Sequence, residues 1–114
     1  MKPIKLEHHL AEQVFAGTKT STWRLFDDKD LTVGDKIDLI DKVNPDDPSS
    51  WRGVGVAIIL RVIEKPLGEI TEADMEGHEP FESKQQMIDT YRGYYGDKVS
   101  EATPVKIVHF RLVD

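Results

Sequence analysis

Leu6, Leu10 and Val14 recur at i, i+4 and i+8 among Glu7, Glu12 and Gln13, the apolar stripe of an amphipathic helix. Gly17 follows where a left-handed residue ends such a helix, so the spacing predicts a helix from Leu6 to Ala16. Thr18 to Phe26 is rich in β-branched and aromatic residues and runs into Asp27-Asp28-Lys29-Asp30, a strand closed by a turn. Beyond Val33-Gly34-Asp35, the segment Lys36 to Asp41 alternates charged and apolar side chains, which predicts a second strand with one wet face. The loop Asn44 to Ser50, with Pro45 and Pro48, cannot continue it. Val54 to Val62 is a β-branched run too short for a buried helix, hence a buried strand in which Gly55 marks a bulge or a close approach.

The period then changes. Thr71 with Asp74, and Ser83 with Gln86, stand at capping-box spacing, which predicts helices starting near each. The second carries Met87, Ile88, Tyr91 and Tyr95 at helical intervals and ends at Gly93 or Gly96. After Pro104, Val105 to Val113 places Val108, Phe110 and Leu112 on one face of a terminal strand, with Lys106 beside them at its start. No repeat recurs and no βαβ rhythm appears, so the reading is one α+β domain spanning residues 1–114. Several short strands around one core point to a partly closed barrel, which removes exposed sheet edges.

Composition narrows the function classes. Thirty-nine per cent of residues are hydrophobic and 32% charged, enough to bury a core. The longest apolar run, Val54 to Leu60, falls far short of the roughly 20 residues of a spanning helix. The N-terminus has no signal-peptide apolar region, so a soluble cytoplasmic protein is expected. Fifteen Lys and Arg against 21 Asp and Glu leave a net charge of −6. Glu69 to Glu82 alone holds six acids and no Lys or Arg, so a long duplex nucleic acid is not expected as partner. Cysteine is absent, the four histidines are dispersed, and no phosphate loop, dinucleotide fingerprint, nucleophile elbow or zinc helix occurs. Neither a cofactor nor a metal site is expected.

Chemistry concentrates in Gly17-Thr18-Lys19-Thr20-Ser21-Thr22-Trp23-Arg24. On a regular strand Lys19 and Ser21 point one way and Thr20, Thr22 and Arg24 the other. If Lys19 lies in the helix-to-strand turn, that parity breaks and its amine comes within range of the Thr22 hydroxyl. A desolvated lysine serves as a general base that activates a hydroxyl, and Arg24 suits a carbonyl oxygen, carboxylate or phosphate. The plain alternative is a solvated Lys and Arg and a threonine that serves β packing. Among the aromatics, Trp23 and Tyr91 read as core, whereas Trp51 and Tyr94 are candidates for the mouth of a ligand site.

Gly17-x-Lys19-x-x-Thr22-x-Arg24, with Val33-Gly34-Asp35 and then Glu76-Gly77 inside Ile70 to Gly77, resembles the ASCH domain family over nearly the whole chain. The resemblance implies a PUA-like β-barrel of five to six strands with flanking helices. It also implies a ligand that is RNA or a modified nucleoside. One branch of similar size consists of amidohydrolases that deacetylate acetylcytidine through a Lys, a Thr and a Glu, which match Lys19, Thr22 and Glu76. On that resemblance Thr22 attacks the amide carbonyl, Lys19 takes its proton, Glu76 orients the ligand or relays a proton, and Arg24 holds the oxyanion or the ligand. Glu72 and Glu79 are substitutes for Glu76. The chain departs from the branch by an extra residue in His78 to Glu82 and by a longer Asn44 to Arg52 loop, both of which bear on substrate choice. The other reading is a non-catalytic module that binds RNA through Lys19 and Arg24. Ribonuclease action is a third, for which the acidic chain supplies few phosphate-binding charges. The balance of −6 favours a small ligand and the hydrolase.

Overall fold

The computed structural model describes every residue except Asp28, Glu79 and Asp114. The chain runs β1 (Lys2–Glu7), α1 (His8–Phe15), β2 (Ser21–Leu25), β3 (Lys36–Lys42), β4 (Arg52–Pro66), α2 (Lys84–Tyr95) and β5 (Pro104–Leu112), with single 3-10 turns at Pro48–Ser50, Leu67–Glu69 and Ala73–Met75. All five strands join one sheet in the order β1-β3-β4-β5-β2. β1 lies parallel to β3, and the other ladders are antiparallel.

β4 makes the sheet curl. Its first half pairs with β3 and its second with β5, and each ladder slips by one residue. Leu39 and Ile40 face Gly55 and Gly53, which leaves Val54 as the extra residue; Ile59 and Arg61 face Phe110 and His109, which leaves Leu60. Such bulges bend a strand and increase its twist, so one 15-residue strand serves two differently inclined neighbours. Two cores result. One gathers Ile4, Leu6, Val14, Ile37, Leu39, Ile59 and Phe110; the other gathers Trp23, Leu25, Leu67, Met87, Ile88, Tyr91 and Val105 around α2. β5 runs between them, with the adjacent Ile107 and Val108 both fully buried in different clusters.

The expected helix from Leu6 is shorter, and the residues before it form a strand instead. Ile4 and Leu6 are buried at strand spacing against Leu39 and Asp41 of β3. Near Thr71 only a 3-10 turn forms. There the Asp74 carboxylate accepts from the Thr71 N–H (2.8 Å), the Thr71 hydroxyl (3.0 Å) and Lys65 Nζ (2.8 Å), which closes the turn on itself. Ser83 does cap α2, accepting from the Gln86 N–H at 3.0 Å. Leu112 is 37% exposed, so the buried face of β5 stops at Phe110.

The barrel is open. β1 and β2 stand at the two ends of the strand order with no ladder between them, giving a five-stranded half-barrel with two helices. A side-chain bond crosses the seam, from Arg24 Nη2 on β2 to the Lys5 carbonyl on β1 at 3.2 Å. Among the described residues no helix is long and apolar enough to cross a membrane.

Candidate functional site

α1 ends in a turn that decides where Lys19 goes. Gly17 is left-handed (φ +80°), its N–H donates to the Val14 carbonyl (3.1 Å), and the Thr18 N–H reaches back to the Gln13 carbonyl (3.0 Å). This is the paired closure of a Schellman cap. Lys19 also donates its N–H to Gln13 O, at 3.2 Å, so it belongs to the cap and β2 begins only at Ser21. Thr20 and Ser21 are then clamped from the opposite side, their N–H groups sharing the Gly77 carbonyl at 2.8 and 3.1 Å. Because Lys19 precedes the strand, it does not follow strand parity.

Lys19 and Thr22 therefore line the same cleft, at the seam between β1 and β2, although only 2% and 4% of their surfaces are exposed. The cleft has a volume of about 450 Å³, within the range of small-molecule sites. Arg24 and Tyr94 line it too, as do Lys5, Glu7 and Lys42. One wall is a pile of rings. His78 stacks on Trp23 with centroids 4.1 Å apart, Tyr91 lies parallel to Trp23 at 6.0 Å, and Tyr94 meets Tyr91 edge-on at 5.9 Å. The Tyr91 hydroxyl and His78 Nε2 are 3.4 Å apart.

Arg24 is charged in a place that hydrates it poorly. Burial lowers the pKa of its guanidinium, against the pull of Tyr95 and Tyr91. Among the described residues its Nε is buried without a hydrogen-bond partner, and so is Nε1 of Trp23. Orphaned buried donors cost about 1 to 3 kcal/mol each, and both belong to residues that line the cleft.

Trp51 and Glu76 stand elsewhere. Trp51 is half-buried, fixed by its indole N–H on the Asn44 carbonyl at 2.9 Å. The ammonium groups of Lys5 and Lys42 lie 5.1 and 5.6 Å from its ring centre. It thus braces two lysines of the cleft without lining the cleft itself. Glu76 is exposed and lines a different depression of about 220 Å³ with Thr20, Arg61 and His109. Burial there, with Arg61 nearby, holds His109 below the ordinary histidine pKa, against the pull of Glu76 and Asp74. Of the two substitutes for Glu76, Glu72 is exposed and is not part of the wall of this cleft, and Glu79 lies outside the described residues.

The carboxylate that the described residues bring to the cleft is Glu7, 3.3 Å from Lys42 Nζ. The sequence pattern does not reveal it or Lys5, because it predicts no strand at Lys2–Glu7 and takes Glu7 into a helix that begins at Leu6. His78 carries no signal in the sequence beyond being one of four dispersed histidines; the loop after Gly77 lays it on Trp23 of β2 and beside Phe81.

No family model matches the sequence, and no curated protein matches it. Solved structures do match in fold. A protein of Enterococcus faecalis V583 described by the family model DUF984 is 13% identical, with a TM-score of 0.74 over 100% of this chain and 82% of its own. An ASCH domain from Lactobacillus crispatus JV V101 is 13% identical, with a TM-score of 0.63 over 98% and 80%. ZmASCH from Zymomonas mobilis is 19% identical, with a TM-score of 0.62 over 96% and 67%. At a sequence distance where only backbone architecture is still recognisable, this half-barrel with its two helices has the fold of the ASCH domain, a PUA-like α+β fold.

Proposed function

We propose that the protein is an ASCH-family amidohydrolase that removes the acyl group from an acylated nucleobase, acetylcytidine being the case implied by its sequence resemblance. One observation carries this reading. Lys19 and Thr22, both nearly excluded from water, share a cleft with an arginine and a wall of stacked rings. A flat base suits that wall, since stacking on an aromatic face contributes roughly 1 to 3 kcal/mol.

The chemistry balances without a cofactor. Thr22 Oγ attacks the amide carbonyl carbon while the Lys19 amine takes the hydroxyl proton. The oxygen of the tetrahedral intermediate gains negative charge, which the poorly hydrated Arg24 stabilises. Lys19 returns the proton to the departing amine nitrogen, and the C–N bond breaks. Water then attacks the threonyl ester, giving up a proton to Lys19, which passes it to Thr22 Oγ as the ester C–O bond breaks, so that the carboxylic acid leaves and Thr22 and Lys19 return to their starting forms. Glu7 and Tyr94 orient the base.

The test is turnover of acetylcytidine to cytidine by the purified protein. Lys19→Met and Thr22→Val are expected to lower kcat by at least about a hundredfold while circular dichroism and cytidine binding stay those of the parent. No turnover by a folded parent that still binds cytidine would overturn the hydrolase and leave a binding module.

A further inference from the structure

The seam does not end at Arg24. On the far side of the Arg24 to Lys5 bond lies a second chamber of about 320 Å³, and Lys5, Arg24 and Tyr95 line both. Neither an acetyl group nor a single base accounts for this space. Of these two chambers, Phe26 and Lys29 line the second and not the first. Phe26 is 48% exposed and held at φ +54°, a left-handed conformation that is costly for a bulky residue and is found where function requires it.

The rings of the first chamber continue into the second. From Trp23 the series passes to Tyr91, then to Tyr95, parallel at 6.4 Å, and then to Phe26, edge-on at 5.7 Å. Cations run beside it. Lys5, Arg24 and Lys29 line the chamber, and Lys98 Nζ sits 4.3 Å from the Phe26 ring centre. The acid among the described residues of the wall, Asp27, already accepts from Lys106 Nζ at 2.9 Å and from the N–H groups of Lys29 and Leu31 at 2.9 and 3.0 Å. A row of rings flanked by cations is how proteins hold single-stranded nucleic acid. A net charge of −6 for the chain as a whole, these cations included, restricts that to a short stretch.

We infer that the second chamber is a subsite for the nucleotide adjoining the acylated one, so that the substrate is a phosphodiester-linked nucleoside, at least a dinucleotide, rather than a free nucleoside. The inference rests on the proposed function for what happens in the first chamber, but binding alone tests it. Isothermal titration would compare cytidine with the dinucleotides CpA and ApC. At least one dinucleotide is expected to bind ten times more tightly than cytidine or better. Its affinity should fall with salt at a slope near −0.7 in log–log form, about the value for one phosphate contact on a single strand.

Phe26→Ala and Lys29→Gln, folded as judged by circular dichroism, are expected to lower dinucleotide affinity fivefold or more and cytidine affinity by less than twofold. Equal binding of cytidine and both dinucleotides by the parent would overturn the inference, as would equal losses for both ligands in the variants. Tight dinucleotide binding without deacylation would sink the hydrolase and leave the subsite standing. Turnover of acetylcytidine with no gain from a second nucleotide would do the reverse.

Discussion

At the scale of single residues, position in or out of the cleft separates the carboxylates. Glu76 is exposed beside His109 and Arg61, so Glu76→Gln is expected to keep acetylcytidine turnover within about threefold of the parent. Glu7 lines the cleft, and its pair with Lys42 is partly exposed to solvent, where an ion pair contributes about 1 kcal/mol or less. Glu7→Gln should therefore leave the melting temperature nearly unchanged and raise KM by tenfold or more; unchanged kinetics would remove Glu7 from the site. The glycine-lysine-threonine-arginine spacing was legible in the sequence because the Schellman cap and β2 are both local structures. Glu7, Lys42 and His78 were not legible, because each reaches the cleft through a ladder or loop closure distant in sequence.

At the scale of elements, two loops lean on one another. The Gly77 carbonyl accepts both N–H groups that follow Lys19. Gly77 has φ +75°, and a Cβ added there would lie 1.9 Å from Thr20 Oγ1. Gly77→Ala thus combines an unfavourable backbone conformation with a clash against the strand it supports. A destabilisation of about 2 kcal/mol is expected, measurable by urea unfolding. A loss of turnover larger than the unfolded fraction explains should accompany it, since His78 and Lys19 both hang on this contact. Wild-type stability in the alanine variant would mean that the loop is free to shift. β1 escaped sequence reading for a related reason. Leu6 fits two periods at once, strand spacing with Ile4 and helix spacing with Leu10, and only pairing with β3, some 35 residues away, decides between them. The bulge at Leu60 is equally non-local, being defined by what β5 places opposite it.

For the whole molecule, ion pairs that join distant segments set the range of pH over which the fold holds. Burial raises the pKa of Asp27, but Lys106 and the N–H groups of Leu31 and Lys29 outweigh it and hold the carboxyl below its ordinary value. Asp74 is likewise raised by burial and lowered further by Lys65 and Thr71. Groups depressed in this way stabilise the folded state above the unfolded carboxylate value, about 3.9. That contribution is lost as pH falls through the lower folded values. Lys106 is raised, chiefly by Asp27, so its contribution is present below the ordinary lysine value and is lost as pH rises through the higher folded one. The melting temperature is accordingly expected to be flat from about pH 7 into mild alkali and to begin falling below about pH 6.5, where the unfolded chain protonates His109 more readily than the fold does, to fall further below about pH 4 and to fall again in strong alkali. Asp27→Asn should lower the plateau and flatten both limbs, and a pH profile parallel to that of the parent would refute the assignment.

The unzipped seam has a kinetic consequence. β4 and β5 have partners on both sides, whereas β1 and β2 each have one. In heavy water, the amides of β4 and β5 that bond within ladders should retain their protons until the molecule unfolds globally. Those on the unpartnered edges of β1 and β2 should take up deuterium through smaller openings, orders of magnitude sooner. A ligand that fills the seam would slow those edge amides first, so their deuteration rates would report occupancy of the cleft before any product is formed.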